Sequence, residues 1–210
     1  TADVVVIGAG VHGAATAFHL AKAGAGRVVV VDKSGVASGP TARSGAMMRP
    51  IFTEAPYIQL VMEATQMMEH WDELIGGDAG FVERGFLRFT RTFENAELGG
   101  DLKLMKELGV EFEILDADAL RARVPDAEFR GDEQGLWLPR AGYADPVLTT
   151  RTLARAAVRH GVTVLEGVQV TAIDAPGSRI ESVQTDRGPI HTRTVVNCAA
   201  YTNVDGCETY

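Results

Sequence analysis

The chain has 210 residues, of which 46% are hydrophobic and 23% are charged, as is usual for a soluble globular protein. Its 28 acidic and 20 basic residues give a net charge of −8, which argues against a nucleic-acid-binding surface. No apolar run approaches the roughly 20 residues of a membrane-spanning helix, and the two cysteines form neither a disulfide framework nor a zinc motif, so we predict a reduced, cytoplasmic protein.

The first predicted elements are a buried strand, a glycine-rich turn and a helix. Residues 4–7 are a continuous apolar run rich in β-branched side chains, which is typical of a strand buried on both faces in a parallel sheet. Gly8, Gly10 and Gly13 follow in GxGxxG spacing, and "AATAFHLAKAG" then has helical periodicity. A second buried strand, "RVVVVD", ends on Asp32, 19 positions after Gly13.

The strand before the glycine motif and the helix after it indicate what the motif does. The first glycine permits a tight turn, the second lets the backbone approach a pyrophosphate, and the third lets the helix pack closely on the sheet. The start of the helix offers free N–H groups and a positive dipole end to phosphates. Asp32 stands where an acid accepts hydrogen bonds from a ribose diol. The motif predicts a dinucleotide site but does not by itself separate FAD from NAD.

A long loop rich in Gly, Ser, Thr and Arg follows Asp32, and then a helix is predicted over about residues 56–75. Its apolar stripe, which we expect to pack in the core, comprises Leu60, Ala64, Met67, Trp71 and Leu74. The pattern changes from about residue 81. Short strands in "GFLRFTR", "VEFEIL" and "GLWLPRAGYADP" now alternate with helices over about residues 94–108 and in "DADALRARVP".

The last third of the chain returns to longer elements. A helix is predicted from Pro146 to about His160, and "GVTVLEGVQVTAID" holds two short strands. A hairpin-like pair and a final buried strand, "TVVNCAA", complete the predicted elements.

Five segments together resemble the FAD-dependent amine and amino-acid oxidoreductases of the D-amino-acid oxidase superfamily. They are "VVVIGAGVHGAATAFHLAKAG", "VVVVDK", "ASGPTARSGAMMRPIF", "GLWLPRAGYADP" and "TVVNCAA", spread over roughly residues 3–200. The likeness is greatest to the sarcosine oxidase, dimethylglycine dehydrogenase and glycine oxidase branch. It implies an α/β fold in which a Rossmann-like FAD-binding domain carries an inserted α+β substrate domain.

The resemblance divides the chain into three segments. Residues 1–80 begin the FAD-binding domain, residues 81–144 form part of the substrate domain, and residues 145–210 return to the FAD-binding domain. Family members are considerably longer, so we expect this chain to be unstable or poorly active without a partner subunit or a missing C-terminal half. The resemblance stops at Tyr201, where "NCAAYTNVDGCE" is instead similar to a segment of NAD(P)-dependent dehydrorhamnose reductases.

The resemblance also implies cofactor contacts around the glycine turn. Gly8, Gly10 and Gly13 would hold the FAD pyrophosphate, Asp32 would hold the adenosine ribose, and Lys33 would flank the adenine.

Further implied contacts come from the loop after the second strand and from the return segment. Arg43, Ser44 and Gly45 match the loop that passes the pyrophosphate and reaches the flavin. The charge of Arg43 suits an anionic cofactor, although a surface arginine is the alternative. Val170 matches a residue whose backbone meets the adenine, and Ala199 matches the strand end that passes the cofactor.

One arginine is the candidate for binding the substrate. Arg49 matches an arginine that lies near the flavin in the sarcosine oxidase branch and holds the substrate carboxylate, a task that the planar guanidinium suits. A salt bridge within the loop is the alternative, and Pro50 departs from the polar residue usual in the family. Trp137 and Tyr143 are aromatic candidates for the pocket, with core packing favoured for Trp137.

Enzymes of this branch oxidise the carbon next to an amine nitrogen, and the cofactor carries the redox chemistry. The resemblance therefore implies FAD and an N-methyl or D-amino-acid type of substrate. The sequence has no metal-ligand spacing and no Ser-His-Asp or Cys-His pattern. Two other functions stay open: a flavin-binding fragment or subunit that is inactive without a partner, and an NAD(P)-dependent reductase.

Overall fold

The computed structural model describes residues 1–91 and 96–200, without the side chains of residues 96–100. In chain order the strands are β1 (Val4–Ile7), β2 (Val28–Asp32), β3 (Met47–Met48), β4 (Val82–Glu83), β5 (Phe86–Thr90), β6 (Glu113–Leu115), β7 (Gln134–Leu138), β8 (Gly142–Tyr143), β9 (Thr163–Glu166), β10 (Val170–Asp174), β11 (Ser182–Thr185), β12 (Ile190–His191) and β13 (Val195–Asn197). The helices are α1 (Val11–Lys22), α2 (Ala55–Glu69), α3 (Trp71–Leu74), α4 (Ala96–Glu107), α5 (Ala117–Arg123) and α6 (Pro146–Arg159).

The described residues form two compact units. Unit 1 comprises residues 1–45, 71–80 and 145–200, and unit 2 comprises residues 46–70 and 81–144. None of the helices in these described ranges is long and apolar enough to cross a membrane.

Unit 1 is built on a parallel sheet with the strand order β13-β1-β2-β9. Successive side chains of a strand point to opposite faces, so both faces of β1 and β2 are apolar and buried. One face, which includes Val5 and Val31, packs against Val168 and Val183 near the antiparallel β10-β11-β12 sheet. Helix α1 contacts β1 and β2 and packs against α6. This layered α/β arrangement confirms the fold class predicted from the sequence.

The final strand differs from its prediction. The sequence predicts a buried strand in "TVVNCAA", but Val195 and Val196 are half-buried and Asn197 is exposed. The reason is position, because β13 is the last strand of the sheet and pairs with β1 alone among the described strands.

Unit 2 contains two small antiparallel sheets, β5-β7-β6 and β3-β8-β4. Its core includes Ile51, Ile58, Leu136 and Leu138. Residues 46–70, which the sequence assigns to the first part of the FAD-binding domain, therefore belong to unit 2, because Ile51 and Ile58 pack with the side chains of β7.

The helix predicted over residues 56–75 is broken in two. His70 leaves the helical conformation at φ −108°, ending α2, and Trp71 begins the short helix α3. Two members of the predicted apolar stripe do not pack in the core, since Leu60 is 61% exposed and Leu74 is 46% exposed. Trp71 is buried in unit 1, where its indole N–H donates to the Thr152 hydroxyl at 3.2 Å.

Candidate functional site

The turn after β1 is closed by backbone contacts that only glycine allows at its first position. Gly8 has φ +100°, and a Cβ there would lie 2.6 Å from the carbonyl oxygen of Cys198. The Gly8 amide donates to the Val31 carbonyl at 2.8 Å, and the Cys198 amide donates to the Ile7 carbonyl at 2.8 Å. The turn therefore sits in contact with the ends of both neighbouring strands.

The other two glycines of the motif have different surroundings. A Cβ on Gly13 would lie 1.8 Å from the Gly8 carbonyl oxygen, so the start of α1 packs directly on the turn. At Gly10 the nearest atom to such a Cβ is the Thr41 hydroxyl oxygen, 3.0 Å away. These close contacts give a steric reason for glycine at Gly8, where a tight turn was predicted, and at Gly13, where close helix packing was predicted.

Asp32, at the end of β2, accepts hydrogen bonds from three backbone amides in two loops. Its Oδ2 accepts a hydrogen bond from the Ala9 amide at 2.8 Å. Its Oδ1 accepts from the amides of Ser34 and Gly35 at 2.8 and 2.9 Å. The Ala37 amide donates to the Ala9 carbonyl at 3.0 Å, which joins the same two loops again. Beyond the ribose role implied by the family, Asp32 therefore organises the turn itself.

Thr41 is a site residue that the sequence analysis missed. Its hydroxyl accepts a hydrogen bond from the Val11 amide at 3.1 Å, at the first position of α1. The N-cap residue, Gly10, has no side chain to do this. The sequence offered one indication of this role: Thr41 lies two positions before Arg43, in the loop that the family resemblance places beside the pyrophosphate.

The remaining loop residues of the predicted site lie at the surface. Lys33, Arg43, Ser44 and Gly45 are exposed, and the Ser44 amide donates to the Thr41 carbonyl at 3.1 Å, at the end of a single 3-10 turn. Arg43 and Ser44 therefore lie two and three positions after Thr41, whose hydroxyl caps α1, while Lys33 follows Asp32. Their cofactor contacts stay predictions.

The return segment brings one predicted residue to the turn. The Ala199 amide would be 3.2 Å from a Cβ on Gly8, so Ala199 lies beside the turn, whereas Val170 opens β10 and packs against the core of unit 1. Cys198, directly before Ala199, is half-buried, and this burial raises the pKa of its thiol, while a hydrogen bond with the Thr16 side chain acts in the opposite direction.

The predicted substrate residues lie in unit 2. Arg49 is half-buried, and its guanidinium carbon is 5.3 Å from the centre of the Phe86 ring. Among the described residues, no carboxylate lies within ion-pair distance of Arg49, so the alternative of a loop salt bridge finds no partner there.

The two aromatic candidates for the pocket, Trp137 and Tyr143, have different surroundings. Trp137 packs closely: the guanidinium carbon of Arg123 lies 4.2 Å from its ring centre, and a Cβ on Gly85 would be 1.9 Å from its ring. These contacts agree with the packing role favoured for Trp137. Tyr143 is 48% exposed on β8, where it pairs with Met47 of β3.

The residues of unit 1 fit a dinucleotide with a pyrophosphate. The first intrahelical bond of α1 runs from the Ala14 amide to the Gly10 carbonyl, so the His12 and Gly13 amides precede it and have no acceptor within the helix. Such amides, at the positive end of a helix dipole, suit phosphate oxygens. In the parts of the chain described, no group of three or more His, Cys, Asp or Glu side chains could hold a metal ion.

Comparison with known proteins agrees with this chemistry. The family described as FAD dependent oxidoreductase, DAO, matches residues 3–207, so the match continues past Tyr201, where the sequence resemblance stops. Mouse sarcosine dehydrogenase is 31% identical over 95% of this chain and 22% of its own length. Sarcosine oxidase subunit beta from Arthrobacter is 29% identical over 94% of this chain and 51% of its own length.

Solved structures give the same result. L-proline dehydrogenase from P. horikoshii is similar with a TM-score of 0.86 and 26% identity, covering 95% of this chain and 53% of that chain. Glycine oxidase from Geobacillus kaustophilus has a TM-score of 0.78 and 25% identity over 93% of this chain and 54% of that chain. The chain thus spans at most about half the length of these relatives. The glycine turn, the parallel sheet and a family match over nearly every residue lead to one conclusion: this chain belongs to the DAO family of FAD-dependent oxidoreductases.

Proposed function

We propose that this chain forms the FAD-binding portion, and part of the substrate-binding portion, of an enzyme that oxidises the C–N bond of an amine or amino acid. The observation that carries the proposal is the DAO family match over residues 3–207, which includes the glycine turn described above. Relatives named sarcosine dehydrogenase, sarcosine oxidase subunit beta and dimethylglycine dehydrogenase favour an N-methyl amino acid over other amines. The same family membership favours FAD over a nicotinamide cofactor.

The cofactor side of the proposal rests on unit 1. FAD, when bound, accepts the electrons removed from the substrate. The glycine turn and the His12 and Gly13 amides would hold its pyrophosphate, and Asp32 would keep the turn in place while a free lone pair accepts from the ribose. Arg43, two positions after Thr41 in the loop, would add positive charge for the phosphates.

On the substrate side, Arg49 would bind a carboxylate. A half-buried guanidinium with no carboxylate partner among the described residues favours an anionic ligand. Its planar fork can make two parallel hydrogen bonds to a carboxylate. This role predicts a preference for amino acids over simple amines.

Anaerobic reduction of the flavin tests this proposal. We expect sarcosine to bleach the absorbance of the FAD-loaded protein, and N-methylethylamine, which has no carboxylate, to do so far more slowly. Arg49→Gln should remove this difference by weakening sarcosine binding while leaving FAD bound. Equal reduction by both amines in the unchanged protein would contradict the role of Arg49.

A second candidate function is a flavin-binding subunit that needs a partner for turnover. It is favoured by the relative named sarcosine oxidase subunit beta, of which this chain covers 51%. A protein that takes up FAD but is not reduced by sarcosine, glycine, D-alanine or L-proline would support this candidate over the first. Failure to take up FAD would contradict both.

The cellular compartment is also a proposal. Cysteine usage favours the cytoplasm, whereas the mouse relative is a mitochondrial protein by name. Fractionation of cells that produce the protein, with a mitochondrial marker as control, distinguishes the two.

A further inference from the structure

Helix α6 has a basic surface that the cofactor site does not use. Arg151, Arg155 and Arg159 follow one another at four-residue steps and are exposed, whereas Leu153 and Ala156 on the other side are buried. Residues four apart in a helix are neighbours on its surface. The three arginines therefore form one stripe along α6.

The stripe borders a shallow groove with aliphatic walls. Val36, Val158 and Val164 line the groove together with the arginines, and Val158 is 52% exposed. Mixed surfaces of arginine and apolar side chains are enriched at protein interfaces, whereas lysine-rich polar surfaces are not. We call this surface the arginine groove, defined by Arg151, Arg155, Val158 and its neighbours Val36 and Val164.

Two of the arginines form no ion pair with a described residue. Arg159 donates to the Ile75 carbonyl, and the carboxylate that lines the groove, Glu166, accepts from the Val36 amide at 2.7 Å. Within the described parts of the chain, neither Arg151 nor Arg155 has a carboxylate within ion-pair distance.

This lack of partners stands out because the protein has eight more acidic than basic residues. Arg140, for comparison, pairs with both Glu69 and Glu83. An excess of carboxylates elsewhere on the molecule means that an acidic ligand is repelled from most of the surface and attracted to the arginine groove.

The distance between the arginines of the stripe indicates the spacing of carboxylates that a ligand needs. A helix rises about 1.5 Å per residue, so the Cα atoms of Arg151 and Arg155 are separated by about 6 Å along the axis. Carboxylates four residues apart on another helix have the same separation. Val158 lies three residues beyond Arg155 on α6, so an aliphatic residue one turn beyond the paired carboxylates would face it.

We propose that the arginine groove binds an acidic helical segment of a partner protein, with carboxylates four residues apart paired to Arg151 and Arg155. A second copy of this chain is a different occupant, which the experiment below distinguishes. The proposal does not depend on the cofactor or on the amine that is oxidised.

Fluorescence anisotropy with two labelled peptides tests the proposal on the full chain. The probe is a helical peptide of about four turns with glutamate at every fourth position and leucine beside it, and its control replaces each glutamate by glutamine. We expect the glutamate peptide to bind, and Arg151→Glu with Arg155→Glu to weaken binding by about tenfold or more. Arg179→Glu with Arg193→Glu makes the same charge change at exposed arginines elsewhere in unit 1 and should alter binding by less than about twofold.

Three results of the peptide assay would overturn the proposal. They are equal binding of the two peptides, equal weakening by the two double variants, and no weakening in a groove variant whose circular dichroism spectrum is unchanged. Arg151→Gln with Arg155→Gln guards against misfolding caused by charge reversal, and should give a smaller loss in the same direction. Self-association in sedimentation experiments that the groove variants abolish would make a second copy the occupant, against the proposal.

Discussion

The Ala9 amide donates a hydrogen bond of 2.8 Å to Asp32, joining the glycine turn to the end of the second strand across 23 residues of sequence. The same carboxylate also receives the amides of Ser34 and Gly35. The turn is therefore held in shape by the protein itself, and a cofactor would meet a site that is already formed.

Replacing Asp32 should destabilise the cofactor-free protein. Asp32→Ala removes three acceptor bonds, and we expect a loss of about 2 kcal/mol in the free energy of unfolding, measured by urea denaturation. Asp32→Asn keeps one acceptor oxygen and should lose about half as much. Asp126→Ala, at an exposed carboxylate of unit 2, is the control. An effect of Asp32→Ala on FAD affinity alone would refute the organising role.

The second and third glycines of the motif should respond differently to alanine. Gly13→Ala places a methyl group 1.8 Å from the Gly8 carbonyl oxygen, and we expect a loss of about 3 kcal/mol in stability. Gly10 has φ −72°, which alanine adopts without strain, and its nearest neighbour is a movable side chain. Gly10→Ala should therefore melt within a few degrees of the unchanged protein while binding FAD more weakly, as measured by quenching of flavin fluorescence.

The hydroxyl of Thr41 should stabilise the start of α1. Thr41→Val keeps the shape of the side chain and removes the acceptor for the Val11 amide, at a cost of about 1 kcal/mol. Thr41→Ser restores the hydroxyl and should recover most of the stability. Hydrogen exchange at the Val11 amide measures the bond directly, and unchanged protection in Thr41→Val would show that the cap contributes nothing.

Alkylation of Cys198 should be slow at neutral pH. Burial raises the pKa of this thiol, so the reactive thiolate forms only at a higher pH than in the unfolded chain. In a Cys207→Ser background, the rate with iodoacetamide should rise steeply only above the pH range of an ordinary cysteine. Thr16→Val removes the hydrogen bond that lowers the pKa and should shift the profile to still higher pH. A shift to lower pH would contradict this arrangement.

The first strand, the turn, α1 and the second strand were predictable because their signals are local. An unbroken β-branched run and the GxGxxG spacing lie within about thirty residues, and each residue's role follows from its neighbours in sequence. The glycine motif alone does not separate FAD from NAD. The family resemblance implies FAD as the cofactor, and the DAO family match supports this.

The parts that were not predictable depend on contacts between distant residues. Ile58 and not Leu60 is buried in α2, because Leu138, eighty positions later, sets which side of the helix faces the core. The helical periodicity of the sequence continues through His70, so Trp71 was predicted to belong to the same helix. In the structure Trp71 belongs to unit 1, where its indole N–H donates to Thr152. Thr41 was missed because its partner is an amide thirty residues earlier, which no spacing rule identifies.

The contact between Gly8 and Cys198 sets the order in which this protein can assemble. Strand β13 pairs with β1, and its end supports the glycine turn, yet it is synthesised after the whole of unit 2. During synthesis, β1, α1 and β2 emerge from the ribosome before β13, and β1 gains its second partner strand only when residues 195–197 have been made. Closing so long a loop is slow compared with local folding. Competence to bind the cofactor should therefore arise only once β13 has been synthesised, and a nascent chain arrested before β13 should not retain flavin.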